Sequence, residues 1–373
     1  MSTPTVHAFD YGRLLDDFRP DAVYLHPFEV TVDAALVGPY MASFLDATPM
    51  WSSDRLARAA RQPARPVPPH LLLNLGLSFS VHDVSQQAIA HLAYVRVAFP
   101  KPLPLGGTVR GATQMMAARA SADGDKGVVT VHTVLVDEHG ERVLDFERKA
   151  LVRAGTLRDR PPLRSEVAGS DLARQWLGRL PTAPFVDHLA HLELGPSAFS
   201  PPLFGTYEDL EPGLVLAHAA GRTVGESEHM QLATLCRNTH PLHWDDVYCQ
   251  THSFKRARVV YGGLVLAWTL AQASLDVGGH ILWEAGWSDG AHPAPVLAGD
   301  TIFAATQVLA RHPPGRHAGV VTLRHVGLKN LRPRDALAHG LDLFTPERAK
   351  PDSARVAEKV FEITRDVLVR RRS

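Results

Sequence analysis

The chain has 373 residues, enough for two domains or one large one, and 45% are apolar, which allows a substantial core. Its 39 Lys and Arg balance its 39 Asp and Glu, which excludes the basic footprint of a general nucleic-acid binder. Cys236 and Cys249 are too few for a disulfide framework, no signal-peptide pattern opens the chain, and no apolar run is long enough for a bilayer. The expectation is a cytoplasmic protein with no membrane or nucleic-acid partner.

Taken in chain order, the elements repeat once. DDFRPDAVYLHPFEVTV (16–32) realigns on EDLEPGLVLAHAAGRTV (208–224) at an offset of 192, placing Asp17 on Asp209, Pro20 on Pro212, His26 on His218 and Thr31 on Thr223. In the same register DATPMWSSD (46–54) falls on NTHPLHWDD (238–246). One inserted residue later, RPVPPHLLL (65–73) falls on RVVYGGLVL (258–266) and GGTVRGATQM (106–115) on GDTIFAATQV (299–308). VLDFERKALVR (143–153) closes the first copy and VFEITRDVLVR (360–370) the second, so the second carries roughly two dozen extra residues before its last strand. Between the copies, 156–204 is rich in Pro and polar residues and reads as a linker with one short helix, SDLARQWLGRL.

Each copy has one pattern. A Pro/Gly turn leads to a strand ending in Thr-Val, then a helical stretch (GESEHMQLATLCRN in copy two), the polar motif and a second short helix, DDVYCQTHSF. GGLVLAWTLAQASL is too long for a typical strand and lacks β-branched dominance, which predicts a buried helix. Alternating strands follow: GDTIFAATQVLAR, HAGVVTLRHVGLKN and KVFEITRDVLVRR. One long helix and a run of antiparallel strands predict an α+β unit whose sheet wraps the helix.

Strand, helix, NTHPLHWDD, YGGL, helix, GDT and strands together resemble the MaoC-like hydratase/dehydratase branch of the hotdog fold. The likeness covers both copies and implies a double hotdog, with an N-terminal hotdog over 1–155, the linker, and a C-terminal MaoC-like hotdog over 205–373. TVGESEHMQLATLCRNT with His243, YGG, GAHPAPVLAGDT (290–301), WSSD (51–54) and KGVVTVHT (126–133) are similar to the mesaconyl-CoA hydratase (β-methylmalyl-CoA dehydratase) group. The MaoC-like motif D-x-N-P-x-H carries a catalytic Asp and His. Here Asn238 stands at the Asp position and His240 at the Asn position, followed by Pro241 and His243. The first copy keeps Asp46 but has Trp51 where the His belongs, which implies that it is catalytically degenerate.

The implied reaction adds or removes water on an enoyl-CoA or 3-hydroxyacyl-CoA thioester, with a branched C5 dicarboxylyl group preferred. It needs a base for water and a donor for the developing enolate oxygen. His243 suits the base, Asn238 can hold the water, and Gly262 matches the family's glycine at the helix start, where backbone N–H groups are free. His240, Tyr261, Gly263 and His292 are candidates for substrate binding, and Lys255, Arg256 and Arg258 for the CoA phosphates. Plainer roles stand beside these: Asp245 or Asp246 as a helix cap, Glu226 and Glu228 as the charge complement of a helix N-terminus, and the basic run as a solvated face. HExxH and paired CxxC are absent, so no metal is expected, and no cofactor beyond the coenzyme A of the substrate. A hotdog thioesterase, a dehydratase of carrier-bound substrates and a non-catalytic acyl-CoA-binding protein stay open, as does assembly into a homo-oligomer.

Overall fold

A computed structural model describes residues 10–157, 170–178, 185–194 and 204–372. Ten strands form one antiparallel sheet. They are β1 (Val23–Thr31), β2 (Ala88–Ala98), β3 (Thr108–Ala120), β4 (Lys126–Val136), β5 (Arg142–Arg153), β6 (Val215–Thr223), β7 (Ile281–Ala291), β8 (Thr301–Arg311), β9 (Ala318–Lys329) and β10 (Lys359–Arg370). Their order is β1-β3-β4-β5-β2-β7-β10-β9-β8-β6, which reads the same from either end once the two copies are matched. The copies join where β2 pairs with β7, Tyr94 opposite Gly290 and Val97 opposite Trp287. This pairing turns two sheet edges into one interior seam.

Two helices lie in the embrace of the sheet. Pro69–Phe79 packs on β4 and β5, Gly262–Val277 on β8 and β9, and the helices pack on each other. All 11 residues of the first are buried. Both helices are mostly apolar because almost all of their surface is buried, Leu275 and Asp276 near the end of the second being the exposed positions. Pro69 can open the first helix because its missing N–H is one of the unpaired donors there anyway.

The repeat is visible in side chains as well as in topology. His26 bridges Asp83 at 2.8 Å and Thr113 at 2.7 Å, and His218 bridges Asp276 at 2.5 Å and Thr306 at 2.7 Å. The first bridge ties the turn that follows Phe79 to its sheet, and the second ties the end of the Gly262–Val277 helix to its own. The extra residues of the second copy form the connection from β9 to β10. It contains a short helix, Pro333–Ala338, and Glu347, which accepts from Lys350 at 2.7 Å and Lys359 at 3.1 Å.

Three features depart from expectation. The strand patterns predicted for each copy omit β2 and β7, which form the seam. Among its described residues the linker holds two helices, Ser170–Gly178 and Phe185–Ala190, rather than one. It is also packed: Arg142 donates to the Trp176 carbonyl at 3.2 Å, and Phe185 meets Trp283 edge-on at 5.3 Å. Residues 158–169, 179–184 and 195–203 of the linker lie outside those described. Among the described residues no helix is long and apolar enough to cross a membrane.

Candidate active site

Residues 238–246 form a turn, not a helix face. Asn238 Oδ1 accepts the backbone N–H of His240 at 2.9 Å, and Pro241–His243 makes a single 3-10 turn. Because a backbone N–H can only donate, this bond fixes the amide orientation and leaves the Asn238 NH₂ as the end that can donate elsewhere. Asp245 then caps Asp246–His252, accepting from the Tyr248 N–H at 3.0 Å.

The turn carries His243 into the wall of a cavity of about 410 Å³. His243 Nδ1 donates to the Val259 carbonyl at 2.8 Å. That bond sets the tautomer with Nε2 as the bare lone pair. Among the described residues Nε2 has no hydrogen-bond partner. Protein surrounds the ring while its edge opens to the cavity, and burial pushes its pKa down to about 4. The imidazole is therefore neutral at physiological pH.

His240 also lines the cavity but is spent on its own loop. Its Nδ1 accepts the Leu242 N–H at 3.1 Å, and it is hydrogen-bonded to the Ala88 backbone. Burial, with His243 beside it, pushes it down to about 3. The ring can contact a ligand, but its nitrogens are committed.

The start of the Gly262–Val277 helix faces the same space. Leu264 is the first N–H to bond back, to the Tyr261 carbonyl at 2.9 Å, and Tyr261 supplies no side-chain cap. The N–H groups of Gly262 and Gly263 are thus left for a ligand. Close approach explains the glycine pair. A Cβ on Gly262 would lie 2.9 Å from His292 Nε2, and one on Gly263 would lie 1.7 Å from Asn74 Oδ1. The Tyr261 ring lies tilted against His243, ring centroids 5.3 Å apart, and its hydroxyl donates to the Asn74 carbonyl at 3.2 Å.

Seven of the ten candidates thus meet in one cavity: Asn238, His240, His243, Tyr261, Gly262, Gly263 and His292. Lys255, Arg256 and Arg258 do not line it, although Phe254 beside them does. Lys255 and Arg256 are exposed, and Arg258 is paired with Glu226 and, at 3.8 Å, with Asp246. His292 is not a surface residue. It is hydrogen-bonded to the Val360 backbone and to the Tyr94 hydroxyl at 3.2 Å, and burial pushes it down to about 4.

The other wall comes from the first copy. His91 and Tyr94 on β2 and Arg148 on β5 were not among the sequence candidates. The only sequence signal for Arg148 was its alignment with Arg365 in the last-strand match.

The first copy's own version of the site is closed. Asp46 Oδ1 accepts the Thr48 N–H at 2.9 Å, repeating the Asn238 turn. Its Oδ2 accepts from Trp51 Nε1 at 2.6 Å and from His70 Nε2 at 2.9 Å. These bonds hold its carboxyl below the usual carboxylate range despite burial. Ala47 bonds to Ser274, so Asp46 sits toward the far end of the Gly262–Val277 helix, about 18 Å along it from Gly262 at ~1.5 Å per residue. Asp46 and His243 cannot act on one substrate atom.

Comparison with known proteins agrees with this architecture. A MaoC domain protein from Chloroflexus aurantiacus superposes with a TM-score of 0.80 over 100% of both chains at 24% identity. A double-hotdog protein of Mycobacterium tuberculosis gives 0.70 at 21% identity, covering 95% of this chain and 98% of that one. These likenesses show the double hotdog fold. In sequence, the mesaconyl-CoA hydratase of Cereibacter sphaeroides is 32% identical over 86% of this chain and 90% of its own. The β-methylmalyl-CoA dehydratase of Chloroflexus aurantiacus is 30% identical over 86% and 89%. The family model for mesaconyl-CoA hydratase matches residues 5–334, which take in the first copy, most of the second and both walls of the cavity. A chain matched over that span, with this fold, belongs to the mesaconyl-CoA hydratase family.

Proposed function

We propose that this protein is a hydro-lyase that adds water to, or removes it from, an acyl-CoA thioester whose acyl group is a branched C5 dicarboxylate of the mesaconyl or β-methylmalyl type. The observation that carries the reading is the pairing of a neutral His243, its Nε2 free at the cavity wall, with the open N–H groups of Gly262 and Gly263. In the hydration direction, the thioester oxygen lies on the Gly262 and Gly263 N–H groups. His243 Nε2 takes a proton from water, whose oxygen bonds to the β-carbon. The double-bond electrons move to the thioester oxygen as an enolate, which the helix N-terminus stabilises. The proton on His243 then passes to the α-carbon, so hydrogen and charge balance and no redox group is consumed. Asn238 cannot take a proton; its NH₂ donates to the water oxygen and orients it.

The test is reversible loss of enoyl-thioester absorbance when purified protein meets mesaconyl-CoA, and its return from β-methylmalyl-CoA. Release of free CoA at the same rate would instead identify a thioesterase. Tight binding without either signal would identify an acyl-CoA-binding protein.

A further inference from the structure

The two copies carry the same arginine in the same ladder position. Arg148 of β5 lies opposite Tyr94 of β2, and Arg365 of β10 lies opposite Trp287 of β7. Both arginines are buried. Their partners differ. Arg365 is held by the Glu284 carboxylate, with Nε donating to Oε2 at 3.2 Å and Nη2 to Oε1. Glu284 also accepts from Trp287 Nε1. The matching position on β2, three residues before Tyr94, is His91.

Arg148 therefore has no carboxylate partner among the described residues. Its Nη2 donates to Ser80 Oγ at 2.8 Å and Ser85 Oγ at 3.3 Å, and its Nε has no acceptor. It is 3% exposed and lines the active-site cavity; Arg365 does not. Beside it, both ring nitrogens of His91 lack a partner, and the His91 and Tyr94 ring centroids are 4.3 Å apart. Burial lowers Arg148 to about 10, which still leaves it a cation at neutral pH. A guanidinium removed from water without a counter-charge is costly, and the second copy offsets that cost with Glu284.

We propose that Arg148 anchors the carboxylate at the far end of the acyl group, so that the substrate supplies the counter-charge which Glu284 supplies to Arg365. The planar fork of a guanidinium matches a carboxylate, and the N–H of a neutral His91 can donate to the same group. This rests on the dicarboxylyl-CoA reading above.

The experiment compares binding of two non-reacting thioesters, succinyl-CoA and butyryl-CoA, which differ by a carboxylate in place of a methyl group. Wild-type protein is expected to prefer succinyl-CoA. Arg148→Gln should weaken succinyl-CoA by about 10²-fold, the scale of a charge-assisted hydrogen bond, and butyryl-CoA by less than about threefold. His91→Glu is the second variant: it rebuilds the Glu284–Arg365 pair within the protein. It should abolish the succinyl preference while melting no lower than wild type. Equal weakening of both thioesters by Arg148→Gln would assign the arginine to coenzyme A or to the fold and overturn the proposal. A wild type with no succinyl preference, or a His91→Glu protein that keeps one, would overturn it too. A succinyl preference that depends on Arg148, in a protein that hydrates no enoyl-CoA, would leave this proposal standing and remove the hydratase reading instead.

Discussion

The acid limb of the pH–rate profile tests the state of His243 directly. The reference imidazole value of about 6.5 leads one to expect activity to fall as pH drops through roughly 6–7. The structure moves that limb, because burial pushes His243 down to about 4. At pH 5 a base with a pKa near 4 is about 90% neutral, whereas one at 6.5 is about 3% neutral, so the two expectations differ by about 30-fold in kcat/KM. Stability must be kept apart from this. His240, His243 and His292 all titrate below their unfolded value in the fold. Between about 6.5 and those lower values the folded state binds fewer protons than the unfolded one. Stability is therefore complete above about pH 6.5 and is lost as pH falls toward the folded values. The assay is a pH jump: protein held at pH 7.5 is diluted into substrate at pH 4.5–8, and initial rates are read before unfolding, followed in parallel by circular dichroism. A half-loss of kcat/KM between pH 6 and 7 with an unchanged spectrum would refute the assignment of a buried, neutral His243 as the base.

His243→Ala should lower turnover by about 10²–10⁴ with a normal melting temperature, while Asn238→Ala should cost less because Asn238 orients water and moves no proton. Gly263→Ala should destabilise despite a helix-propensity gain of about 1 kcal/mol, because its Cβ falls 1.7 Å from Asn74 Oδ1 and must displace the Asn74 bond to the Gly263 carbonyl; a melting temperature at or above wild type would contradict this. Asp46→Ala strips the acceptor from Trp51, His70 and Thr48, so it should destabilise by about 3–5 kcal/mol in denaturant melts yet leave the KM of the surviving folded enzyme unchanged. Turnover should survive prolonged EDTA treatment and metal-free dialysis; stoichiometric metal lost together with activity would contradict the mechanism.

Much of the fold was legible because the chain states it twice. A register that holds at 192 and then 193 left little freedom for the elements of either copy, and Gly262–Val277 was readable as a helix from its length and composition. The seam strands were harder. β2 runs AIAHLAYVRVA, and its burial pattern is irregular, with Ile89 and Val95 exposed while Tyr94 and Val97 are buried. No clean alternation announces it, because one stretch lines the cavity and another pairs with β7. The candidate catalytic turn was legible because its residue types are unusual side by side. The binding wall was not, because it comes from the copy that had lost the motif. Arg148 sits in ERKALVR, which reads as an exposed charged ladder. Only the contrast with Arg365 separates it, and the partner that makes the contrast, Glu284, lies on a strand the repeat blocks did not cover.

The repeat builds two counterpart sites at opposite ends of one helix pair, and the side chains close one of them and leave the other open. At the start of the first central helix, Pro69 removes one N–H and His70 fills the place of Gly263, so no pair of free donors remains to receive a thioester oxygen. Trp51 stands at the position of His243, the proposed base, and turns its indole N–H onto Asp46, whose carboxylate is saturated by hydrogen bonds. The space that a substrate would need there is occupied by buried aromatic rings: Trp51 stands edge-on to both His70 and Trp283. The opposite exchange occurred on the strands. The second copy keeps its arginine neutralised by Glu284 and out of the cavity, and the first copy has His91 at the place of that acid and faces the cavity with Arg148. Each change closes a polar centre in one copy and leaves its counterpart open in the other. The result is a single asymmetric cavity, with the proposed proton-moving groups on one copy and the proposed charge-recognising group on its partner. Two identical sites could not achieve this, because any residue gained for one end of the substrate would appear at both.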